Sequence, residues 1–272
     1  MNRLGIENLS VFGLPPTQFV HLAADLGCAH ISTGLWPIDY NPHGYPKFSL
    51  KDDAPLRREM ITAMRDRGVS ISLGEGFTIR PGADVSARAA ELDVMCELGV
   101  ERINSVSLDP DRGRSFDQLA KLAEMAAAAG VESTVELSPG LTIGDLPTAL
   151  AAVRHVGRPN FRLLIDTMHL IRSGSSASDL AAVDPDLIGY VQISDAPLTP
   201  TIPNYMEEAM FERMAPGTGE LPLLDVLSAL PRHLVIGIEA PMRRQAEAGI
   251  GPRERLAPCV EAVRGLLAQL EN

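Results

Sequence analysis

The sequence predicts an α/β protein built as one closed (β/α)8 barrel. Short apolar runs typical of buried strands alternate with helical patterns from one end to the other. No linker rich in proline or serine and no block of charge divides the 272 residues. A barrel of this kind commonly takes about 250 residues, so we expect residues 1–272 to form a single domain.

Eight strands and eight helices are predicted from these patterns. The predicted strands are residues 4–12, 30–36, 69–77, 102–108, 132–137, 161–167, 189–195 and 234–240. Apolar residues at i, i+3 and i+4 predict helices over residues 17–26, 55–67, 85–98, 116–129, 144–153, 178–183, 223–230 and 254–270. Glycines 27, 68, 99 and 130 each end a helix, where a left-handed residue belongs.

An open, doubly wound sheet is the alternative arrangement of these elements. It usually carries a G-x-G-x-x-G loop after its first strand, and the sequence has none there. The longest irregular stretches, residues 37–51 and 196–221, both follow a strand directly. In a barrel they therefore lie on the carboxyl-terminal face, where binding loops and lids are found.

Composition limits the partners and the compartment. The formal net charge of −11 at pH 7 disfavours binding to nucleic acid or to an anionic membrane. The first residues lack the apolar core of a signal peptide, and no run approaches the roughly 18 apolar residues of a membrane span. Three cysteines without C-x-x-C spacing indicate a reducing compartment. We expect a cytoplasmic protein.

Polar residues end four consecutive apolar strands. Glu136, Asp166, Gln192 and Glu239 would meet at one end of the barrel axis. Carboxylates that close repel one another unless a cation neutralises them, so we expect a divalent metal ion. An all-oxygen ligand set favours Mn²⁺ or Mg²⁺, with Co²⁺ or Zn²⁺ as alternatives. The competing interpretation is that each residue caps its strand or pairs with a neighbouring Arg or Lys.

The second half carries a set of motifs. They are Val135-Glu136, Asp166-x-x-His169, Val191-Gln192-x-x-Asp195, Arg213-x-x-Pro216-Gly-Thr-Gly-Glu220 and Glu239. With these motifs the sequence resembles the xylose-isomerase-like TIM barrels, a superfamily of sugar phosphate isomerases and epimerases. Within it the hydroxypyruvate isomerase group is most similar, because the tagatose 3-epimerase branch usually has a histidine where Gln192 stands.

The resemblance implies roles for individual residues. Glu136, Asp166, Gln192 and Glu239 would be the metal ligands, and Glu136 and Glu239 would also be the catalytic acid/base pair. His169 and Arg213 would bind substrate oxygens near the metal. Pro216 to Glu220 also has the composition of an ordinary turn before the next helix.

The activity implied is a metal-dependent isomerase or epimerase of a small hydroxy-carbonyl compound, either sugar or keto-acid-like. One glutamate would remove the proton next to the carbonyl, and the metal would stabilise the enediolate. A dehydratase (lyase) of a keto-polyol on the same metal site is the alternative. An apurinic endonuclease and a non-catalytic binding barrel are more distant interpretations. The partner would be a small carbohydrate-like molecule, and barrels of this family often form homo-oligomers.

The first half offers further candidates for the pocket. Glu7, Glu75 and Asn104 lie on or near strand ends, and Trp36 ends the second strand, where it could stack on a substrate or wall the site. Glu75, Asn104 and Trp36 are the candidates for contacting substrate. Each of these is equally ordinary as a structural residue. Two features depart from the hydroxypyruvate isomerases: the segment 196–215 is longer, and Ala215 stands where those enzymes tend to have Glu. Arg243 and Arg244 are candidates for binding an acidic or phosphorylated substrate.

Overall fold

The computed structural model, which describes residues 2–271, confirms a closed barrel of eight parallel strands. The strands are β1 Leu4–Ile6, β2 His30–Thr33, β3 Ser70–Gly74, β4 Arg102–Ser105, β5 Glu132–Glu136, β6 Phe161–Asp166, β7 Ile188–Ile193 and β8 Ile236–Ile238. β1 pairs with both β2 and β8, which closes the sheet on itself. No free edge is left in the barrel, so its backbone donors and acceptors are paired.

Helices cover the outside of the barrel. They are α1 Pro16–Asp25, α2 Ala54–Arg67, α3 Ala89–Glu97, α4 Arg112–Ala128, α5 Leu146–Val156, α6 Thr167–Arg172, α7 Ala177–Ala181, α8 Tyr205–Phe211, α9 Leu223–Ser228, α10 Arg243–Glu247 and α11 Pro252–Leu270. Short 3-10 helices span Asn8–Val11, Val85–Arg88 and Pro185–Leu187. Across residues 2–271 none of the helices is long and apolar enough to cross a membrane.

The register of the last strands aligns the residues predicted for the site. Asp166 of β6 stands opposite Gln192 of β7, and Gln192 stands opposite Gly237 of β8. Glu136 is the last residue of β5, and Glu239 follows the last residue of β8. Because all eight strands run in the same direction, these residues meet at the carboxyl-terminal end of the barrel. The four glycines predicted to end helices all have positive φ values, between 65° and 75°.

The first strand is shorter than predicted. β1 ends at Ile6, and the chain turns into a 3-10 helix instead of extending to Phe12. The turn is fixed by Ser10, whose amide donates to the Glu7 carbonyl and whose hydroxyl donates to the Ile238 carbonyl. Leu9, Val11 and Phe12 are buried all the same. A short apolar run is buried equally well in either conformation, so hydrophobicity did not distinguish them.

The segment 196–221 is not wholly irregular, because it contains α8. The Asn204 side chain accepts a hydrogen bond from the Met206 amide, which caps the helix. Glu207 and Glu208 in the first turn are favourably placed for the helix dipole. Seven residues make only two turns, too few for a helical period to show in the sequence.

Candidate active site

A cavity of about 430 Å³ opens at the carboxyl-terminal end of the barrel; we call it the central cavity. Strand ends supply the polar groups at its base. Six residues predicted for the site line it: Glu75, Asn104, Glu136, His169, Arg213 and Glu239. Asp166 and Gln192 lie fully buried beside them, and hydrogen bonds join both to this group.

Arg213 bridges two of the predicted metal ligands. Its Nη1 lies 2.5 Å from Asp166 Oδ2 and its Nη2 lies 2.9 Å from Glu239 Oε2. The Nε–H donates to the Ala209 carbonyl at 2.6 Å, which ties the guanidinium to α8. Burial alone would lower the pKa of Arg213, but the charges of Asp166 and Glu239 outweigh it and raise that pKa. This arginine is therefore a fixed cation inside the site and not a solvated loop residue.

The pKa values of the two carboxyl groups that contact Arg213 are shifted in opposite directions. Burial acts to raise the pKa of Asp166, yet the charges of Arg213 and His169 hold it below its ordinary value. Asp166 Oδ1 also accepts from the His169 amide at 2.7 Å, which caps α6. Burial raises the pKa of Glu239 well above its ordinary value, and the charges of other carboxylates add to this despite Arg213.

Glu136 is held by two side chains. Asn104 Nδ2 donates to Glu136 Oε2 at 2.7 Å, and His169 Nε2 lies 3.3 Å from Glu136 Oε1. His169 Nδ1 lies 2.5 Å from the hydroxyl of Tyr205, a residue of α8 that the sequence did not single out. His169 Nε2, the ring nitrogen near Glu136, also lies 3.4 Å from Arg213 Nη2. Because a tyrosine hydroxyl can donate or accept, it satisfies Nδ1 in either tautomer of the ring.

A buried polar network lies beneath these residues, inside the barrel. Tyr190 donates its hydroxyl to Glu7 Oε1 at 2.8 Å and contacts Ser72 Oγ at 2.9 Å. Gln192 Nε2 lies 3.4 Å from Glu7 Oε2 and 3.3 Å from Glu239 Oε1. Burial raises the pKa of Glu7 to about 7, although the hydrogen bonds from Ser32, Tyr190 and Gln192 oppose the shift.

The structure groups the carboxylates differently from the prediction. Ligand oxygens of Glu7, Glu75 and Glu239 all lie within 4.8 Å of one another, so these three could hold one ion. Glu75 was expected to contact substrate, and Glu7 only to line the pocket. Burial raises the pKa of Glu75 well above its ordinary value, with the charges of Glu136 and Glu7 adding to the effect. Glu7 directly follows β1, and its position at a strand end was the sequence signal for this role.

These groups fit a hard divalent cation. Five carboxyl groups lie at this end of the barrel, those of Glu7, Glu75, Glu136, Asp166 and Glu239, and the Arg213 guanidinium pairs with two of them, Asp166 and Glu239. In addition the side-chain carbonyl of Gln192 is buried and has no hydrogen-bond partner within residues 2–271. A buried amide oxygen without a partner is costly, and an oxygen-only donor set is what Mg²⁺ and Mn²⁺ prefer.

Trp36 lies beside the central cavity. It lines a second cavity of about 280 Å³, the side cavity, which shares Asn8, Ile38, Glu75, Gly76 and Phe77 with the first. Lys51 Nζ lies 5.6 Å from the centre of the Trp36 ring, and 43% of the residue remains exposed. The two cavities together form one cleft, with Trp36 at its outer side.

The Pro216 to Glu220 loop is built around Asp195. One carboxylate oxygen of Asp195 accepts from the amides of Gly217 and Gly219, both at 2.9 Å. The other accepts from Ala196 and Leu221 at 2.9 and 3.0 Å. A Cβ on Gly219 would lie 2.4 Å from Asp195 Oδ1, so this position has no room for a side chain. The glycines therefore form a turn, as one interpretation of the sequence expected.

Residues 20–258 match the family model described as xylose isomerase-like TIM barrel. The chain belongs to the xylose isomerase-like TIM barrel family. This confirms the family that the strand-end motifs predicted. Solved structures of related fold share the whole barrel: the IOLI protein "with a binding zinc atom" superposes with a TM-score of 0.82 at 18% identity, covering 98% of this chain and 99% of that one. The probable 3-DHS dehydratase AsbF from Bacillus anthracis superposes with a TM-score of 0.73 at 12% sequence identity, covering 96% of this chain and 98% of that one.

Curated relatives of this xylose isomerase-like barrel include several enzymes. A 3-dehydroshikimate dehydratase of Pseudomonas aeruginosa is 26% identical over 77% of this chain and 34% of its own length. A putative hydroxypyruvate isomerase of Streptomyces coelicolor is 29% identical over 61% of this chain and 60% of its own length. An inosose isomerase of Halalkalibacterium halodurans is 31% identical over 41% of this chain and 39% of its own length. The chain thus spans about a third of the length of the first. Isomerases and dehydratases both occur among these relatives, which indicates an enzyme.

Proposed function

We propose that this chain is a divalent-metal-dependent isomerase or epimerase of a small hydroxy-carbonyl compound. The observation that carries the proposal is the cluster of five carboxyl groups that shares a single arginine, Arg213, beside the Gln192 amide oxygen, which has no hydrogen-bond partner among the described residues. So large an excess of negative charge in a buried site calls for bound protons or a cation. Isomerases and epimerases among the similar proteins support the same reaction class.

The proposed metal ligands are Glu136, Asp166, Gln192 and Glu239, the set that the family resemblance implies. Glu7 and Glu75, whose oxygens lie within 4.8 Å of that of Glu239, are the alternative partners of Glu239. When bound there, a divalent ion supplies Lewis-acid stabilisation of negative charge on substrate oxygens. Mn²⁺ and Mg²⁺ suit these oxygen donors best. Zn²⁺ is the alternative that the similar IOLI structure suggests.

Glu136 and Glu239 are the proposed acid/base pair. Asn104 and His169 hold Glu136, whereas Arg213 holds Glu239, so the two carboxyl groups have unlike surroundings. Unlike surroundings suit a division in which one group accepts a proton and the other donates one. One glutamate would take the proton from the carbon next to the carbonyl. The other would return a proton to the neighbouring carbon in an isomerase, or to the opposite face in an epimerase.

His169 and Arg213 are the proposed substrate-binding donors. Both line the central cavity, and both are buried and fixed by partners, so they offer N–H groups in set positions. Fixed donors need no reorganisation as charge develops on a substrate oxygen. Glu75, Asn104 and Trp36 would complete the walls of the cleft, as the sequence suggested.

A dehydratase is the second candidate function. The match to a dehydratase over 77% of the chain favours it. It would use the same base on the carbon next to the carbonyl, and the second acid would then protonate a β-hydroxyl as it leaves as water. The two reactions thus share their first step, and they differ in whether a proton returns to carbon or water is lost.

Proton exchange monitored by NMR tests the proposal. The protein is loaded with Mn²⁺ and incubated with hydroxyketones in heavy water, then freed of Mn²⁺ before spectra are recorded. Deuterium at the carbon next to the carbonyl, with the carbon skeleton intact, supports an isomerase or epimerase; loss of water supports the dehydratase. Glu239→Gln should slow exchange by about 10²–10⁴-fold. Glu124→Gln, on the exposed face of α4, is the control. Wild-type exchange in Glu239→Gln would refute the role of Glu239.

A further inference from the structure

The central cavity is polar at one end and apolar along its walls. Its carboxylates, those of Glu75, Glu136 and Glu239, belong to the base, where Arg213 contacts Glu239 and His169 contacts Glu136. Above them the walls come from the loops after β3, β4 and β5 and from α8. They consist chiefly of Phe77, Val106, Leu108, Leu141, Met206 and Met210. Asn8, Thr78 and Ser138 also line the cavity, but the six apolar side chains offer no hydrogen bond to a hydroxyl group. A sugar hydroxyl placed against them would lose its bonds to water.

Apolar surface at the mouth remains exposed to solvent. Four large hydrophobic side chains are notably exposed between residues 2 and 271: Trp36, Leu108, Leu198 and Leu224. Leu108 lines the central cavity and Trp36 the side cavity. A ligand whose apolar part covered Leu108 would remove that side chain from water, which is favourable in proportion to the area covered.

The positive charges of the arginine and lysine side chains at the cleft are already balanced by carboxylates or paired with them. Within the described chain, the arginines lining the two cavities are Arg213 and Arg88. Arg213 is held by Asp166 and Glu239, and Arg88 lies 3.7 Å from Glu91 and donates to the Gly76 carbonyl. Lys51, near Trp36, is bound to Glu91 at 2.8 Å.

The two arginines that the sequence offered for an acidic substrate lie elsewhere. Arg243 contacts Glu207 at 3.1 Å and Glu212 at 2.9 Å, and it lines neither cavity. Arg244 has 81% of its side chain exposed and lies outside the cleft. The proposed metal ion belongs among the carboxylates at the base. A phosphate or carboxylate on the side of the substrate away from that base would therefore meet apolar walls, and no unpaired arginine or lysine of the described residues lines the two cavities there to compensate.

We propose that the substrate of this cleft is an uncharged hydroxy-ketone or hydroxy-aldehyde that carries an apolar ring or chain on the side away from the reacting carbons. The inference rests on the proposed function for the identity of the reacting group. Its apolar part lies along Phe77, Leu108 and Met210, and its hydroxy-carbonyl end reaches the carboxylates. Sugar phosphates are excluded as preferred substrates, and a keto acid as small as hydroxypyruvate would leave the apolar walls uncovered.

Binding to the Mn²⁺-loaded protein tests this preference. Trp36 is the sole tryptophan of the chain and lies at the cleft, so its fluorescence reports binding. The probes are benzyl-substituted hydroxyacetone, D-fructose, the phosphate ester of D-fructose, and hydroxypyruvate. The benzyl compound should bind about tenfold or more tightly than each of the others. Equal or tighter binding of the phosphate ester or of hydroxypyruvate would overturn the proposal.

Two matched variants locate the apolar part. Leu108→Gln should weaken binding of the benzyl compound about tenfold while leaving D-fructose unchanged. Leu198→Gln replaces another exposed leucine, one that lines neither cavity, and it should bind like the wild type. Wild-type affinity of Leu108→Gln for the benzyl compound would contradict the proposed position. Both leucines are exposed, so both variants should fold.

Deuterium exchange separates this inference from the proposed function. Exchange with the benzyl compound at a higher kcat/KM than with D-fructose supports both. Faster exchange with the phosphate ester would leave the isomerase standing and overturn the substrate class. Tight binding of the benzyl compound with no exchange of any probe, under Mn²⁺ or Mg²⁺, would refute the isomerase while the ligand preference of the cleft stands.

Discussion

The hydroxyl of Tyr205 lies 2.5 Å from Nδ1 of His169, although 36 positions separate the two residues. α8 brings them together, because it lies over the cavity and contributes Met206 and Met210 to the wall as well. Ion pairs fix this helix: Glu208 contacts Arg172 at 3.2 Å in a buried position, and Glu207 contacts Arg243. The insertion after β7 therefore orients the histidine of the proposed site.

Tyr205→Phe should slow proton exchange about tenfold and alter its pH profile, because His169 loses the partner that fixes its ring. The phenyl ring preserves packing, so we expect the free energy of unfolding to fall by only about 1 kcal/mol. Exchange rates across pH and urea denaturation measure the two effects. Tyr40→Phe is the matched control, since its hydroxyl contacts Glu247 at 2.8 Å outside the cleft. A wild-type pH profile in Tyr205→Phe would contradict the positioning role.

Asp166→Asn should weaken Mn²⁺ binding by at least about tenfold. Asparagine retains an oxygen to cap α6 through the His169 amide, so the helix should persist. Asp166→Ala would remove both the cap and a buried partner of Arg213, and should cost about 3–5 kcal/mol of stability. Titration of Mn²⁺ monitored by electron paramagnetic resonance, together with thermal unfolding, compares the two variants. Wild-type Mn²⁺ affinity in Asp166→Asn would remove Asp166 from the ligand set.

Glu7→Gln should change how the stability of the metal-free protein depends on pH. The pKa of Glu7 is about 7 when folded and 4.5 in the reference state, so the folded protein holds the proton more tightly. Its contribution to stability is complete below pH 4.5 and is lost as pH rises through about 7. Relative to wild type, Glu7→Gln should therefore gain about 3 kcal/mol between about pH 4.5 and 8.

Urea unfolding with a chelator present, repeated across this pH range, measures the difference. Glu124→Gln on the surface serves as the control and should run parallel to wild type at every pH. If the difference between Glu7→Gln and wild type stays constant with pH, the shifted pKa of Glu7 is wrong.

Asp195→Asn should destabilise the protein by about 3 kcal/mol. The carboxylate accepts four backbone hydrogen bonds, and asparagine would turn one oxygen into a donor that faces two amides. Asp93→Asn, on the outer side of α3, should change stability by less than about 0.5 kcal/mol. Urea denaturation gives both values, and a small effect at Asp195 would show that the loop does not depend on it.

Much of the barrel could be predicted because its signals are local. The strands β2 to β8 lie within the predicted runs or a residue or so of them, and glycines 27, 68, 99 and 130 all adopt the left-handed conformation. The prediction was wrong where a short local pattern was compatible with two backbone conformations. Residues 8–11 are apolar enough for a strand but form a 3-10 helix, and α8 is too short to show a helical period.

The sequence by itself determined the barrel, the family and the strand ends that carry the polar residues. These features could be predicted because the alternation of strands and helices and the spacing within each motif depend on residues that are close together in the chain. Only the tertiary structure decided what those residues face. Arg213 is inserted between Asp166 and Glu239, Glu7 joins Glu75 and Glu239, and Tyr205 reaches His169. These contacts join residues far apart in the chain, and their strength depends on burial and distance, which only the closed barrel sets.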